Sequence, residues 1–361
     1  MNEKVFRTPH DIGITSESIK ALSDIGFFDV RTTPEFRIYG VMDSKDGYFC
    51  RIPEDVAAKT NPGLAGENLS SAGGRVRFVT DSDYIALKTY VSYGSRTVNI
   101  SYSGAGSYDV YVKMGGKETF VRGFCPPVPP TSNGYEGLLT LPKGMKEVTL
   151  YLPNYCKTKD FYIGLDKNAT LSRHPDYKIE KPIIYCGSSI TQGGCASRSG
   201  LSYEAIIARR LDANFTNLGF SGSFRAEDEL IDYIATLDAS VMVFDYDHNA
   251  PSPEHLDKTH ERLYLAYREK HPDTPVIFIG KPDFYLDRLD SAKRRKVISK
   301  TYENARLRGE RVYFIDGYSL FAGDMREDCT VDGIHPNDIG MKRMADVIGE
   351  IVALALREAA E

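Results

Sequence analysis

The chain has 361 residues and a formal net charge of −5, which argues against an extended nucleic-acid surface because such a surface needs a basic excess. Its 42% hydrophobic and 26% charged residues are those of an ordinary globular protein able to bury a sizeable core. No apolar run approaches the roughly 18 residues of a membrane span, and at roughly 100 to 200 residues per domain two domains are expected.

The first residues, Met1-Asn2-Glu3-Lys4-Val5-Phe6-Arg7, lack the apolar stretch of a secretory signal, so a cytoplasmic location is expected; a signal trimmed away beforehand would leave the same sequence. The six cysteines are scattered without a C-x-x-C pair, and free thiols are expected. Trp is absent while Tyr numbers 23, so a sugar-stacking platform would have to be Tyr or Phe.

The first 70 residues give little beyond a short helix from Glu17 to Leu22. From Arg75 to Leu152 the pattern has period two: Ile85, Leu87, Thr89 and Val91 share one face, and Val148, Leu150 and Leu152 another. Gly104-Ala105-Gly106, Gly115-Gly116 and Pro142-Lys143-Gly144 punctuate short β-rich runs, and Gly115-Gly116 suits a tight hairpin. Cys125 to Pro130 is too rich in proline for a sheet interior and must be a loop or edge. Residues 1–177 are therefore expected to form an all-β sandwich, jelly-roll-like, with no convincing helix between its strands.

Beyond a polar stretch the period changes. The apolar runs Ile183 to Cys186, Phe215 to Leu218, Val241 to Phe244, Val276 to Ile279 and Val312 to Ile315 alternate with helical segments near 203–211, 227–237, 253–270 and 291–308. Met344, Val347, Ile348, Ile351 and Leu354 mark the apolar stripe of a last helix. Five such strands predict an α/β domain over 178–361 with a parallel sheet covered on both faces, whose ligand crevice lies beyond the carboxyl ends of the strands.

Candidate chemical groups fall at those ends. Ser189 follows the first strand in Gly187-Ser188-Ser189-Ile190-Thr191-Gln192-Gly193; Ser221-Gly222 follows the second, Asn249 the third, and Asp332 and His335 the fifth. Acyl transfer needs a hydroxyl, an imidazole to take its proton, a carboxylate to orient the imidazole, and donors for the oxyanion. Each member has a plainer reading: Ser189 as a turn residue, Asp332 as a helix-start cap, Asn249 as a turn former, Asn217 and Gly219 as shapers of a strand end. Their joint occurrence on one rim favours chemistry. Ser188, Gln192, Cys195 and His248 are candidates for the pocket lining, and Cys186 for a small core residue.

These blocks resemble those of the SGNH (GDSL-type) hydrolases over about residues 180 to 357. Gly187 to Gly193 is similar to the family's first block, Gly222 matches the second-block glycine, Asn249 the third-block asparagine, and Asp332-x-x-His335 the last. The resemblance implies Ser189 as nucleophile, His335 as general base and Asp332 as its orienter. It further implies an oxyanion hole of the Ser189 and Gly222 N–H groups with the Asn249 side chain, a flavodoxin-like sheet and no cofactor. Two positions depart from the pattern: Ser188 stands where the family has aspartate, and Asp247-His248-Asn249-Ala250 replaces G-x-N-D. Ser107-Tyr108-Asp109-Val110-Tyr111 resembles the G-x-D-L-Y signature of a bacterial subgroup with a β-rich N-terminal domain, the glycine replaced; Leu152-Pro153-Asn154-Tyr155 and Ile163-Gly164-Leu165-Asp166 also look like that domain. Such relatives imply esterases acting on acylated, often acetylated, carbohydrate.

The expected substrate is a small-molecule or oligosaccharide acyl ester, with no nucleic-acid or membrane partner; a homo-oligomer stays open. Two other functions compete. A metal-dependent hydrolase would draw on Asp245, Asp247, His248, Asp332 and His335, although their order is not that of a compact zinc signature. A non-catalytic carbohydrate-binding protein would leave the α/β half degenerate, against which Ser189, Asp332 and His335 argue.

Overall fold

A computed structural model describes residues 5–93, 98–128, 134–282 and 290–360. The N-terminal part is a sandwich of two antiparallel sheets. One has four strands, 25–29, 156–166, 84–93 and 135–140; the other has six, with 171–173, 75–80, 146–151, 108–114 and 117–124 in that order and 37–39 also paired to 75–80. Ile85, Leu87 and Val91 do share a face, and they meet Val148, Leu150 and Leu152 from the opposite sheet in one buried core. The polar groups enclosed there are paired: the Tyr108 hydroxyl lies 2.8 Å from Thr89 Oγ1 and 2.9 Å from Thr158 Oγ1.

Gly115 and Gly116 join Tyr108–Met114 to Lys117–Phe124 with φ of +66° and +93°, the left-handed pair that a two-residue hairpin requires. The strand ending at Phe124 gives way to a loop, as the prolines demand; Pro129 and Pro130 lie outside the described residues.

Two features depart from the all-β expectation. A short helix, Tyr102–Gly106, interrupts the sandwich. More consequentially, helices Glu54–Thr60 and Pro62–Asn68 leave the sandwich and pack Ala57 and Leu64, with the preceding Ile52, into the core of the α/β half. These helices were illegible in the sequence because each is only seven residues long, too short to show periodicity, and is held by tertiary packing.

The α/β half is built on five parallel strands: β1 (Ile179–Gly187), β2 (Ala213–Gly219), β3 (Val241–Asp245), β4 (Val276–Ile279) and β5 (Val312–Ile315). Their order is β2-β1-β3-β4-β5, the flavodoxin-like arrangement. Alternate side chains of β1 and β3 point to opposite layers. Ile183, Tyr185, Val241 and Val243 face the helices 203–211 and 338–360. Ile184, Cys186, Met242 and Phe244 face the helices 228–234, 253–270 and 291–307. Burial on both faces explains why these strands read as unbroken apolar runs.

Arg75 fastens the sandwich to the edge strand of this sheet. Fully buried, it donates from Nη2 to Asn214 Oδ1 at 2.7 Å and to the Phe215 carbonyl at 2.9 Å, with its guanidinium 3.9 Å from the Phe215 ring centroid. Arg75→Ala strands those acceptors and leaves a void, and should lower unfolding free energy by about 3 kcal/mol in a denaturant titration. A loss under about 1 kcal/mol would mean that water replaces the guanidinium at no cost.

At the end of β3, Asp245 Oδ2 accepts from Tyr203 Oη at 3.0 Å and Thr191 Oγ1 at 3.1 Å. Burial pushes its carboxyl up to about 7 despite these two bonds. Between the unfolded value near 4 and that folded value, the native state holds a proton that the unfolded chain has released, so stability falls as pH rises through this window. Asp245→Asn removes the titration. Variant minus wild-type stability should therefore become more favourable by on the order of 2 kcal/mol from pH 4.5 to pH 7.5; a pH-independent difference refutes the ionisation.

Candidate active site

The turn after β1 depends on its first glycine. A Cβ on Gly187 would lie 1.9 Å from Thr191 Oγ1 and 2.6 Å from the Asp245 carbonyl, so only glycine lets the chain fold back here. The two serines that follow then part ways. Ser188 is buried and its Oγ accepts the Ile190 N–H at 3.1 Å, whereas Ser189 is partly exposed with Oγ 2.8 Å from His335 Nε2.

The imidazole is held from its other side. His335 Nδ1 lies 2.7 Å from Asp332 Oδ2, while Asp332 Oδ1 accepts the backbone N–H groups of Ile334 and His335 at 3.0 and 2.8 Å. Partial burial alone would raise the Asp332 carboxyl, but these bonds and the imidazole outweigh it and hold it at about 2. Asp332 does not cap the last helix; Asn337 does, its Oδ1 accepting from Ile339 and Gly340 N–H at 3.0 and 3.2 Å. The structure thus brings Ser189, His335 and Asp332 into one chain of hydrogen bonds.

The second and third blocks close around the same turn. Asn217 accepts from Gly219 N–H at 2.9 Å and donates to the Thr191 carbonyl at 2.6 Å, so it shapes the end of β2, as its plainer reading held. Asn249 Nδ2 donates one hydrogen to the Phe220 carbonyl at 2.8 Å, which leaves its second amide hydrogen. A Cβ on Gly222 would meet nothing within 4 Å, so the space beside it is open.

The four expected pocket residues divide. Ser188 and Gln192 are 1% and 0% exposed and line no open pocket. Gln192 instead binds Glu67 Oε2 at 2.8 Å and the Asn154 carbonyl at 3.2 Å, and accepts Ser221 N–H at 2.8 Å. Cys195 is also buried, its thiol 3.3 Å from the Asn99 carbonyl and pushed up to about 12 by burial and by Asp332; it is a protonated thiol, unsuited to attack. His248 keeps some exposure, but its Nε2 is buried without a partner among the described residues. Burial first, then Lys281 and His335, holds its imidazole down at about 3, so it stays neutral. The loops after the strands, among them Gly194 to Gly200 and Pro282 to Asp290, are expected from the sequence to set the acyl pocket; residues 283–289 lie outside the described residues.

The carboxylates of the competing metal reading are committed elsewhere: Asp245 to Tyr203 and Thr191, Asp247 to Arg294 at 3.1 Å. Among the described residues no group of three or more His, Cys, Asp or Glu is arranged to hold a metal ion.

Sequence reasoning missed the residues that the N-terminal half brings to the site. Asn99 Nδ2 donates to Asp332 Oδ2 at 2.6 Å. Tyr155 Oη donates to the Ser189 carbonyl at 3.0 Å. Arg51, fully buried, donates to the Gly219 carbonyl and, at 2.6 Å, to that of Glu67, its guanidinium 4.2 Å from the Phe220 ring centroid. The one signal in the sequence is indirect: Leu152 to Tyr155 resembles the N-terminal domain of related proteins, and Asn154 and Tyr155 lie in it.

The GDSL-like lipase/acylhydrolase family model matches residues 180–353, and the GxDLY model, the N-terminus of SGNH-hydrolase-type esterases, matches residues 25–171. No curated protein matches the sequence. Among solved structures, a protein from Bacteroides ovatus described as a GDSL-like lipase superposes with a TM-score of 0.82 at 28% identity, over 92% of this chain and 98% of that one. A salicylyl-acyltransferase from a tetracycline biosynthetic pathway gives 0.77 at 21% identity, over 92% and 98%. A family two carbohydrate esterase from Clostridium thermocellum, solved with cellohexaose, gives 0.62 at 15%, over 88% and 98%. No described helix is long and apolar enough to cross a membrane. Residues 180–353 belong to the GDSL-like lipase/acylhydrolase family, the GxDLY domain of SGNH-type esterases precedes them, and the chain is an ester hydrolase.

Proposed function

We propose that the protein is a serine esterase that removes short acyl groups, acetyl above all, from a carbohydrate through an acyl-enzyme intermediate. The observation that carries this is the unbroken relay from Ser189 Oγ through His335 to Asp332, with spacings of 2.8 and 2.7 Å. Ser189 Oγ attacks the ester carbonyl while its proton passes to His335 Nε2. The oxyanion is received by the Ser189 and Gly222 N–H groups and the second amide hydrogen of Asn249. Collapse expels the sugar hydroxyl, which takes the proton from His335. Water then attacks the acyl-enzyme with His335 again as base, releasing the acid and restoring Ser189.

The carbohydrate part of the reading draws on relatives in fold, among them the carbohydrate esterase solved with cellohexaose and an acetyl xylan esterase from Butyrivibrio proteoclasticus at a TM-score of 0.56. The boundary between accessory and catalytic parts is proposed near residues 177 and 178, between the last antiparallel strand, Leu171–Arg173, and β1.

Ser189→Ala should lower p-nitrophenyl acetate hydrolysis by at least about 1000-fold with the circular dichroism spectrum unchanged, while a chelator leaves the wild-type rate alone. Wild-type-like turnover in that variant would sink the assignment; a panel of acetylated oligosaccharides tested on the wild type identifies the substrate.

Asn99 acts through Asp332 as a positioning residue. Asn99→Ala should lower kcat roughly tenfold, the value of one hydrogen bond to a charged group, with KM little changed. Asn99→Asp, which sets a second carboxylate against Asp332, should cost more than alanine does; the reverse order would show that Asn99 serves packing alone.

A further inference from the structure

The rim opposite Ser189 holds a polar cavity of about 190 Å³. It is lined by Arg209 and Asp212, which lead into the first residue of β2, and by Tyr177 and Lys178, which lead into the first residue of β1. It therefore sits at the amino ends of the strands, separated from the nucleophile turn by the length of β1, nine residues at about 3.3 Å each. The sandwich supplies its other wall through Arg77, Lys113 and Glu118.

Two guanidinium groups line this space, and each keeps a buried donor without a partner among the described residues. Arg77 is 4% exposed; its Nη2 meets His174 Nε2 at 3.2 Å, yet its Nε and Nη1 have no partner among the described residues. Arg209 Nη1 is likewise buried without a partner. The aromatic faces beneath them, Tyr177 at 3.7 Å from Arg77 and Tyr111 at 4.3 Å from Arg209, hold the guanidinium planes but accept no hydrogen bond in the plane.

Neighbouring groups leave the positive charge largely in place. His174 donates from Nδ1 to the Pro175 carbonyl at 2.8 Å, so its Nε2 is the acceptor for Arg77, and burial followed by the Arg77 charge holds it down at about 4. Burial raises the Glu118 carboxyl against the pull of Thr149 and nearby cations. Asp212 stands 4.0 Å from Arg77 Nη2, beyond hydrogen-bonding distance. Glu147 pairs with Lys113 at 3.2 Å. Lys178 adds an exposed cation at the mouth.

We propose that this cavity binds a small oxyanion, a phosphate or a phosphoryl-bearing molecule, held between the Arg77 and Arg209 guanidinium groups and the Lys113, Lys178 and Arg210 cations that line it. Such groups present several acceptors to a guanidinium fork, and the volume equals roughly six waters at about 30 Å³ each, enough for the anion and a small organic remainder. Because its two walls come from different halves of the molecule, the ligand bridges them at the end remote from the catalytic serine.

The test is thermal unfolding and calorimetry of the full chain with inorganic phosphate, sulfate and a sugar phosphate, each against chloride at matched ionic strength. Phosphate should raise Tm in a saturable way in the millimolar range or below, and a sugar phosphate that binds at least tenfold tighter than phosphate identifies the organic form. Arg77→Gln should weaken binding at least tenfold. Should that variant fail to fold, Lys178→Gln and Lys113→Gln, at exposed or part-exposed positions, should each weaken it about threefold. Equal effects of phosphate and chloride, or wild-type affinity in every folded variant, overturn the proposal.

Discussion

Asp109 has no exposed surface, and two of its partners lie across the junction between the halves: Arg198 Nη1 and the Gly200 N–H, both 2.8 Å from Oδ2. A carboxylate taken out of water is tolerable only while its charge and lone pairs are matched, so separating the halves would strand it. Ser199 Oγ adds a bond to the Ser107 carbonyl at 2.7 Å, and Arg198 also reaches the Tyr111 hydroxyl at 2.7 Å. The signature stretch of the sandwich is therefore a docking surface for the loop that follows the nucleophile turn, and the geometry of that turn inherits its rigidity from the contact.

From the loop the constraint spreads inward. Ser197 binds Asp338, at the start of the last helix, through N–H at 2.8 Å and Oγ at 2.6 Å, tying the loop to the element that follows His335. Cys195 holds the Asn99 carbonyl, and Asn99 in turn holds Asp332. Gln192, flanked by Glu67, Asn154 and Ser221, locks the far side of the turn to the second block. Ser188 completes the set with a neutral oxygen, capping Ile190 N–H.

The α/β half was readable because its strands are buried on both faces and its helices are long enough to show a stripe; the strands Val276–Ile279 and Val312–Ile315 and the helix Pro253–Lys270 begin and end where the pattern put them. The opening 70 residues were not, apart from the short helix at Glu17–Lys20, since their strands run two to five residues and their other helices are only seven residues long. At the site, Ser189, Gly222, Asn249, Asp332 and His335 stood out by falling at successive strand ends. Asn99 and Glu67 had no such marker. Each is a lone polar residue, and its partner lies 233 or 125 positions away, a pairing created by docking two lobes and carried by no local spacing.

The bond between Asn99 and Asp332 has a consequence for how the molecule is made. Chain segments that far apart meet only after each lobe has folded and the two have closed on one another, a late and slow class of event in a chain of this size. Secondary structure and much of the buried core can be complete before then. Recovery of turnover after refolding should accordingly trail recovery of the spectroscopic signals of each lobe, making the enzyme its own reporter of lobe closure.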